Sequence, residues 1–238
     1  MFSNCKNLKS IIIPGTIISY DTLVFENYYK LTNVIFENGI PEIGSKSFLY
    51  CTGLKTITLV SSITKLGRCA FEECSSLQTI NIQFGSELKY IDEHAFYKCV
   101  SLSTVSLCCC VNLSIIGRSA FGFCYKLEQF SLFRVEQVHN YAFEGAPLNT
   151  FSYCSSSTFS GSYDSIFYNC PNTITFYVTS DYLQISPTIF SKNATCIYDY
   201  YKHCLCMVTN PFTFRKSPYT QRYSLFLLFC HFYILIYN

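Results

Sequence analysis

Tryptophan is missing from this chain, and charged residues are scarce: Asp, Glu, Lys and Arg make up 13% of 238 residues, about half the share of an average globular chain. The net charge of +2 comes without a polybasic run, which argues against nucleic acid and against an anionic membrane surface as partners. Histidine is confined to His94, His139, His203 and His231. The patterns G-x-S-x-G, Walker A, G-x-G-x-x-G and H-E-x-x-H do not occur, so no motif signals catalysis or a nucleotide cofactor. The 15 cysteines include no paired C-x-x-C, so no structural metal site and no cofactor are expected. Residues 1–20 lack a basic n-region, an apolar h-region and a small-residue cleavage site, so no signal peptide is read there.

What the chain has is apolar bulk and periodicity. Half of it is hydrophobic, with 22 Phe and 20 Tyr, enough to bury a core and to make disorder unexpected over most of its length. One Phe recurs at 2, 25, 48, 71, 96, 121, 143, 167 and 190, in steps of 22 to 25 residues. Three residues on stands Cys5, Cys51, Cys74, Cys99, Cys124 or Cys170, with Tyr28 and Ala146 as exceptions. A Leu follows at 8, 31, 54, 77, 102 and 127, then a β-branched or aromatic residue at 11, 34, 57, 80, 105 and 130. Another apolar residue comes two later, and Ile43-Gly44, Leu66-Gly67 and Ile116-Gly117 close their units.

Each part of the unit has a physical reading. Alternation such as Thr56-Ile57-Thr58-Leu59 predicts a short half-buried strand. Ala70, Ala95, Ala120 and Ala142, just before the Phe, together with the Phe-to-Cys spacing of three, predict one turn of α or 3₁₀ helix. The Gly suits a bend with positive φ. One strand and one helical turn cannot bury their own apolar side, so units must stack, with the strands forming a parallel sheet on one face. The fold class is therefore an α/β solenoid of about 23 residues per unit. The buried set comprises Phe48, Cys51, Leu54, Phe71, Cys74, Leu77, Phe96, Cys99, Leu102, Phe121, Cys124 and Leu127.

Segments such as Ile116-Gly117-Arg118-Ser119-Ala120-Phe121-Gly122-Phe123-Cys124-Tyr125-Lys126-Leu127 resemble the BspA-like leucine-rich repeats, a class found in bacterial surface antigens and expanded in some parasitic protists. The resemblance covers about residues 1–192 and is sharpest over 48–143. It implies cell-surface association, an adhesion or recognition role and no shared active site; a cytoplasmic location is the alternative.

The solenoid is placed at residues 1–195, in about eight units with an irregular stretch at 150–166. Residues 196–238 form a non-repeat tail. Its apolar segment 225–237 reaches about 20 Å as a helix, short of the roughly 30 Å hydrocarbon core, so a marginal tail anchor, a packed cap and non-native sequence all stay open. Whether the chain is a fragment stays open too.

Stacked units set the repeat cysteines roughly 5 Å apart. They are read as a column of free, buried thiols rather than a disulfide ladder, and so many thiols slightly favour a reducing compartment. His94 shares its slot with Lys46, Cys69, Ser119 and Tyr141 and is read as a surface residue. Three residues before the Phe, Arg68, Glu93 and Arg118 occupy one slot, so both arginines are expected to bracket the carboxylate.

The outward strand positions form two columns. One runs Ser10, Asn33, Thr56, Thr79, Thr104, Gln129, and the other Ile12, Ile35, Thr58, Asn81, Ser106, Ser131, with aromatic flanks at Phe133 and Tyr177. Thr and Ser pair well across strands, which explains much of this composition. It also makes a flat hydrogen-bonding platform for a protein or a glycan. The expected function is non-catalytic binding through Asn33, Thr56, Thr58, Thr79, Asn81, Thr104, Ser106, Gln129, Ser131 and Phe133. The alternatives are an intracellular interaction scaffold and, more remotely, an enzyme site assembled from several repeats.

Overall fold

The computed structural model describes residues 5–17, 25–153, 159–171, 174–178 and 195–197. The chain divides into two units, Met1–Met207 and Val208–Asn238. Every residue of the second lies outside the described set, as do Phe2, Phe190, His203, Cys204, Cys206 and the apolar segment 225–237.

Alternating strands pair as the spacing predicts. β1 (Ser10–Ile13) lies parallel to β2 (Asn33–Phe36). β4 (Thr56–Leu59), β6 (Thr79–Ile82), β8 (Thr104–Leu107), β10 (Gln129–Leu132), β12 (Thr150–Tyr153), β13 (Thr175–Val178) and β14 (Thr195–Ile197) form one seven-stranded parallel sheet. Thr79 is opposite Thr104 and Thr104 opposite Gln129, so the two 25-residue steps leave the register intact. The reason is local. Five residues, 60–64, follow β4 before the next short strand begins, whereas seven, 83–89 and 108–114, follow β6 and β8. The added residues are confined to that connection.

A second sheet was not expected from the pattern. β3 (Glu42–Ile43), β5 (Lys65–Leu66), β7 (Tyr90–Ile91), β9 (Ile115–Ile116) and β11 (Gln137–Val138) pair in parallel as five strands. Ile43, Leu66, Ile91, Ile116 and Val138 turn inward, each no more than 2% exposed, so the closing Ile-Gly pairs are core positions of a second wall.

The helical turn around the repeat Phe is corrected to a run of overlapping β-turns; among the described residues the one helix is α1 (Tyr163–Ile166). Around Phe71, Ala70 N–H donates to Gly67, Glu72 to Cys69 and Cys74 to Phe71, each three residues back. The intervening amides of Cys69, Phe71 and Glu73 donate instead to the carbonyls of Glu93, Ala95 and Tyr97 in the next unit. A helix would aim every amide back along its own axis, whereas here alternate amides must reach the next unit. That alternation requires left-handed residues two before and two after the Phe, as at Lys46 (φ 58°) and Tyr50 (φ 60°), Cys69 (φ 56°) and Glu73 (φ 56°), His94 (φ 58°) and Lys98 (φ 55°). Neighbouring units thus share a third wall, tied by these bonds between backbones.

The closing glycines do not adopt the positive φ expected of them. Gly67 and Gly117 are absent from the left-handed set, and their need is for close approach. A Cβ at Gly67 would stand 2.6 Å from the Ser45 amide nitrogen, and at Gly117 2.5 Å from that of Glu93. The backbones of adjacent units touch where the coil leaves its short strand.

The core fills the space between the three walls. The Phe rings at 25, 48, 71, 96, 121, 143 and 167 stack in one column, with successive centroids 5.2–5.7 Å apart and ring planes within 14°. A shorter column, Phe130, Phe151 and Phe176, meets it edge-on. The irregular stretch after Phe143 keeps its strand β12, and α1 replaces the first turn while Phe167 stays in the column.

Candidate functional site

The parallel register sets the outward strand residues in rows. Asn33, Thr56, Thr79, Thr104 and Gln129 are all exposed, as are Thr58 and Asn81. Two lateral side-chain bonds tie neighbours together: Asn33 Nδ2 donates to Ser10 Oγ at 3.1 Å, and Asn81 Nδ2 to Thr58 Oγ1 at 3.5 Å. Further along, Ser106, Ser131 and Phe133 are half-buried and Ser152 is 3% exposed. One outward row thus stays accessible from β1 to β10, while the other is accessible only as far as Asn81 on β6, with Ile12 and Ile35, 57% and 46% exposed, as its apolar end.

The turn edge holds a second feature that the strand pattern did not reveal. Tyr97 packs against Phe123 with ring centroids 5.4 Å apart, and Phe123 lies 6.0 Å from Tyr125, an exposed residue. Tyr141 meets Tyr168 edge-on at 5.5 Å. Lys98 Nζ sits over the Tyr97 ring, and the Arg118 guanidinium over Tyr141, each at 5.4 Å. These residues come from the slots flanking the repeat Phe, so stacking brings together rings that are far apart in sequence. No single slot carries the signal: Tyr97 follows its repeat Phe by one, Phe123 by two, and Tyr141 precedes its own by two.

The bracketed charge ladder is corrected by the same geometry. Arg68 Nε lies 3.6 Å from Glu93 Oε2, as the register requires. Among the described residues no ion pair joins Arg118 to Glu93: the Arg118 cation faces the Tyr141 ring instead, and Glu93 Oε1 is next to His94 Nε2 at 3.9 Å.

His94 is half-buried rather than a plain surface residue, and its ring stacks on Tyr97 at 4.6 Å. Its slot-mate Cys69, one unit earlier, is 6% exposed. Burial, and then a hydrogen bond to the Glu72 carboxylate, pushes the Cys69 thiol up to about 12. The ligating atoms of Cys69, Glu72 and His94 all lie within 4.8 Å of one another.

The column thiols have a different environment. Cys74, Cys99 and Cys124 are fully buried, and each Sγ donates to the carbonyl of the repeat Phe one unit earlier, at 3.2–3.3 Å. Burial raises all three thiol pKa values. No described helix is long and apolar enough to cross a membrane.

Two solved structures are similar to this chain, the first of them closely enough to share its fold. A leucine rich cell surface protein from Faecalibacterium prausnitzii superposes with a TM-score of 0.57 and 28% identity, covering 74% of this chain and 48% of its own. The chain thus spans about half the length of that protein. A leucine rich repeat protein from T. pallidum is 24% identical with a TM-score of 0.46, over 60% of this chain and 58% of its own. No curated protein matches the sequence. The family model for the BspA type leucine rich repeat region matches six copies over residues 1–86 and 114–200. The unmatched residues 87–113 still carry the solenoid, through β7 and β8. With most of its length matched and the coil continuous across the gap, the chain belongs to the BspA type leucine rich repeat family.

Proposed function

We propose that this protein is a non-catalytic recognition module that binds a protein or a glycan at a cell surface through the exposed sheet face. The observation that carries this is the array of Thr56, Thr58, Thr79 and Asn81, exposed in register on the paired strands β4 and β6, with Asn33 exposed on β2 of the preceding two-stranded sheet. Uncharged hydroxyl and amide groups at near-constant spacing offer donors and acceptors without the desolvation cost of charge. The apolar margin at Ile12 and Ile35 supplies the surface that a hydrogen-bonding platform lacks. Repeat solenoids use such extended faces for binding, and the surface-protein relative from Faecalibacterium supports the location.

The test is binding of the fluorescently labelled full chain to glycan arrays and to intact cells, with the double variant Thr58→Arg/Thr79→Arg as probe. Both positions are exposed, so the melting temperature should stay unchanged while binding is lost. Binding that survives the double variant, or that disappears only on Tyr125→Ser, overturns the sheet-face reading. An intracellular scaffold of the same fold is the second reading, favoured by the unpaired thiols of Cys51, Cys74, Cys99 and Cys124. Detection of the native protein on permeabilised but not intact cells would establish that reading.

A further inference from the structure

We propose that Cys69, Glu72 and His94 form a binding site for a transition-metal ion, with Zn²⁺ the best match to the donor set. The three side chains offer one sulfur, one carboxylate oxygen and one imidazole nitrogen, all within 4.8 Å of one another. Zn²⁺ takes S, N and O ligands in tetrahedral sites, with bond lengths of about 2.3 Å to sulfur and about 2.0–2.2 Å to nitrogen and oxygen. Ligand atoms in such a site are separated by roughly 3.5 Å, so modest side-chain rotation closes the trio on an ion. Magnesium and calcium, which prefer all-oxygen shells, are poor matches.

The backbone holds the two contributing units rigidly. Cys69 N–H donates to the Glu93 carbonyl at 3.0 Å, fixing His94 beside the Cys69 turn, and Glu72 N–H donates to the Cys69 carbonyl at 3.2 Å. Cys69 and His94 both take left-handed φ, 56° and 58°, and their ligating atoms lie within 4.8 Å of that of Glu72. Tyr97 stacks on the imidazole at 4.6 Å and limits its rotation. Glu93 Oε1, 3.9 Å from His94 Nε2, provides a carboxylate next to the imidazole, the kind of outer-shell partner that orients metal-bound histidines. Of the neighbouring cations, Lys98 pairs with Glu73 at 3.2 Å, while Arg68, 3.6 Å from Glu93, also reaches the Cys69 thiol, where its charge favours the thiolate, and it must swing aside for an incoming ion. Binding converts the Cys69 thiol to a thiolate and releases its proton to solvent. Three protein ligands leave the fourth tetrahedral position to water.

The test is titration of the reduced full-length chain with Co²⁺, followed by displacement with Zn²⁺. We expect, at one equivalent, a near-ultraviolet thiolate-to-cobalt charge-transfer band and tetrahedral d–d bands, both abolished by Zn²⁺. Ser119 occupies the same left-handed slot as Cys69 and His94, so Cys69→Ser and His94→Ser preserve the turn. Cys69→Ser should abolish the charge-transfer band, and His94→Ser and Glu72→Gln should each weaken binding at least about tenfold. A band that persists in Cys69→Ser assigns the metal to other thiols and overturns the site, as does no band with millimolar Co²⁺. X-ray absorption of the Zn²⁺-loaded wild type needs no variant. One sulfur at about 2.3 Å with nitrogen and oxygen at about 2.0 Å supports the trio, whereas two or more sulfurs refute it.

Discussion

The thiol of Cys51 donates a hydrogen bond to the main-chain carbonyl of Phe25, 3.1 Å away and one turn of the coil earlier. The same bond recurs from Cys74 to Phe48, Cys99 to Phe71, Cys124 to Phe96 and Cys170 to Phe143. The column is thus more than a row of small apolar side chains. Each sulfur fills the gap beside the Phe stack and supplies a donor to a carbonyl that faces it, something Ala146 in the same slot cannot do.

The burial of this thiol gives Cys51→Ala a pH-dependent cost. At pH 7 the substitution should destabilise the chain by about 1–2 kcal/mol, from lost packing and a lost hydrogen bond. Burial pushes the Cys51 thiol from an ordinary 9.0 up to about 12. A thiol raised in this way stabilises the fold fully below its unfolded value, and that contribution is lost as pH climbs from 9.0 towards about 12. At pH 10 the unfolded thiol ionises and the folded one does not, which removes about 1.4 kcal/mol from the wild type and nothing from the variant. Urea melts at pH 7 and pH 10 should therefore show the gap between the two proteins narrowing by that amount. A gap independent of pH would contradict the buried, protonated thiol.

Native-state alkylation should divide the cysteines by burial. Cys5 is exposed, while Cys51, Cys74, Cys99 and Cys124 are fully buried, and only the thiolate reacts. Iodoacetamide at pH 7.5 should label Cys5 within minutes and leave those four intact until denaturant is added. Mass spectrometry finding Cys74 linked to Cys99, or early labelling of either, would refute the column as described.

Phe96→Ala should cost about 3–5 kcal/mol through the cavity it leaves. The ring is 1% exposed and lies between Phe71 at 5.4 Å and Phe121 at 5.3 Å, so collapse from either side would disturb the stack. A chemical melt showing a loss below about 1 kcal/mol would place this ring outside the core.

Two glycines should respond to alanine for different reasons. At Gly117 the added Cβ meets the Glu93 amide nitrogen at 2.5 Å, whereas at Gly85 nothing lies within 4 Å and only the φ of +76° opposes it. Gly85→Ala should cost about 1 kcal/mol. Gly117→Ala should cost clearly more, because two backbones must separate. Equal melting temperatures for the two variants would show that the units are not in contact there.

Much of this architecture was legible in the spacing. Ile57, Ile80 and Val105 share one register position because the extra residues of the long units fall between the sheets, where they shift no strand. The turn ladder was not legible from polarity or size. Its left-handed slots hold Asn27, Lys46, Tyr50, Cys69, Glu73, His94, Lys98 and Phe123, a set united only by the lack of a β-branched side chain, which is the type that tolerates positive φ least. The second sheet was missed because two-residue strands such as Lys65–Leu66 are too short to show alternation. The trio of Cys69, Glu72 and His94 escaped motif reading because two units of the coil supply it, with spacings of 3 and 22 residues.

The turn ladder also makes the coil electrically one-way. From Lys46 to Arg68, Cys69 to Glu93, His94 to Arg118, Ser119 to Asn140 and Tyr141 to Ser165, each amide points towards the later unit and each carbonyl towards the earlier one. The same holds for the Phe amides, from Phe48 to Ala70 through to Phe143 and Ile166. Peptide dipoles along this wall therefore add rather than cancel. Partial positive charge accumulates towards the C-terminal units and partial negative charge towards the N-terminal ones, the reverse of the polarity of an α-helix. A solenoid built this way distinguishes its two directions by field as well as by shape, and anionic groups are favoured beside its later turns.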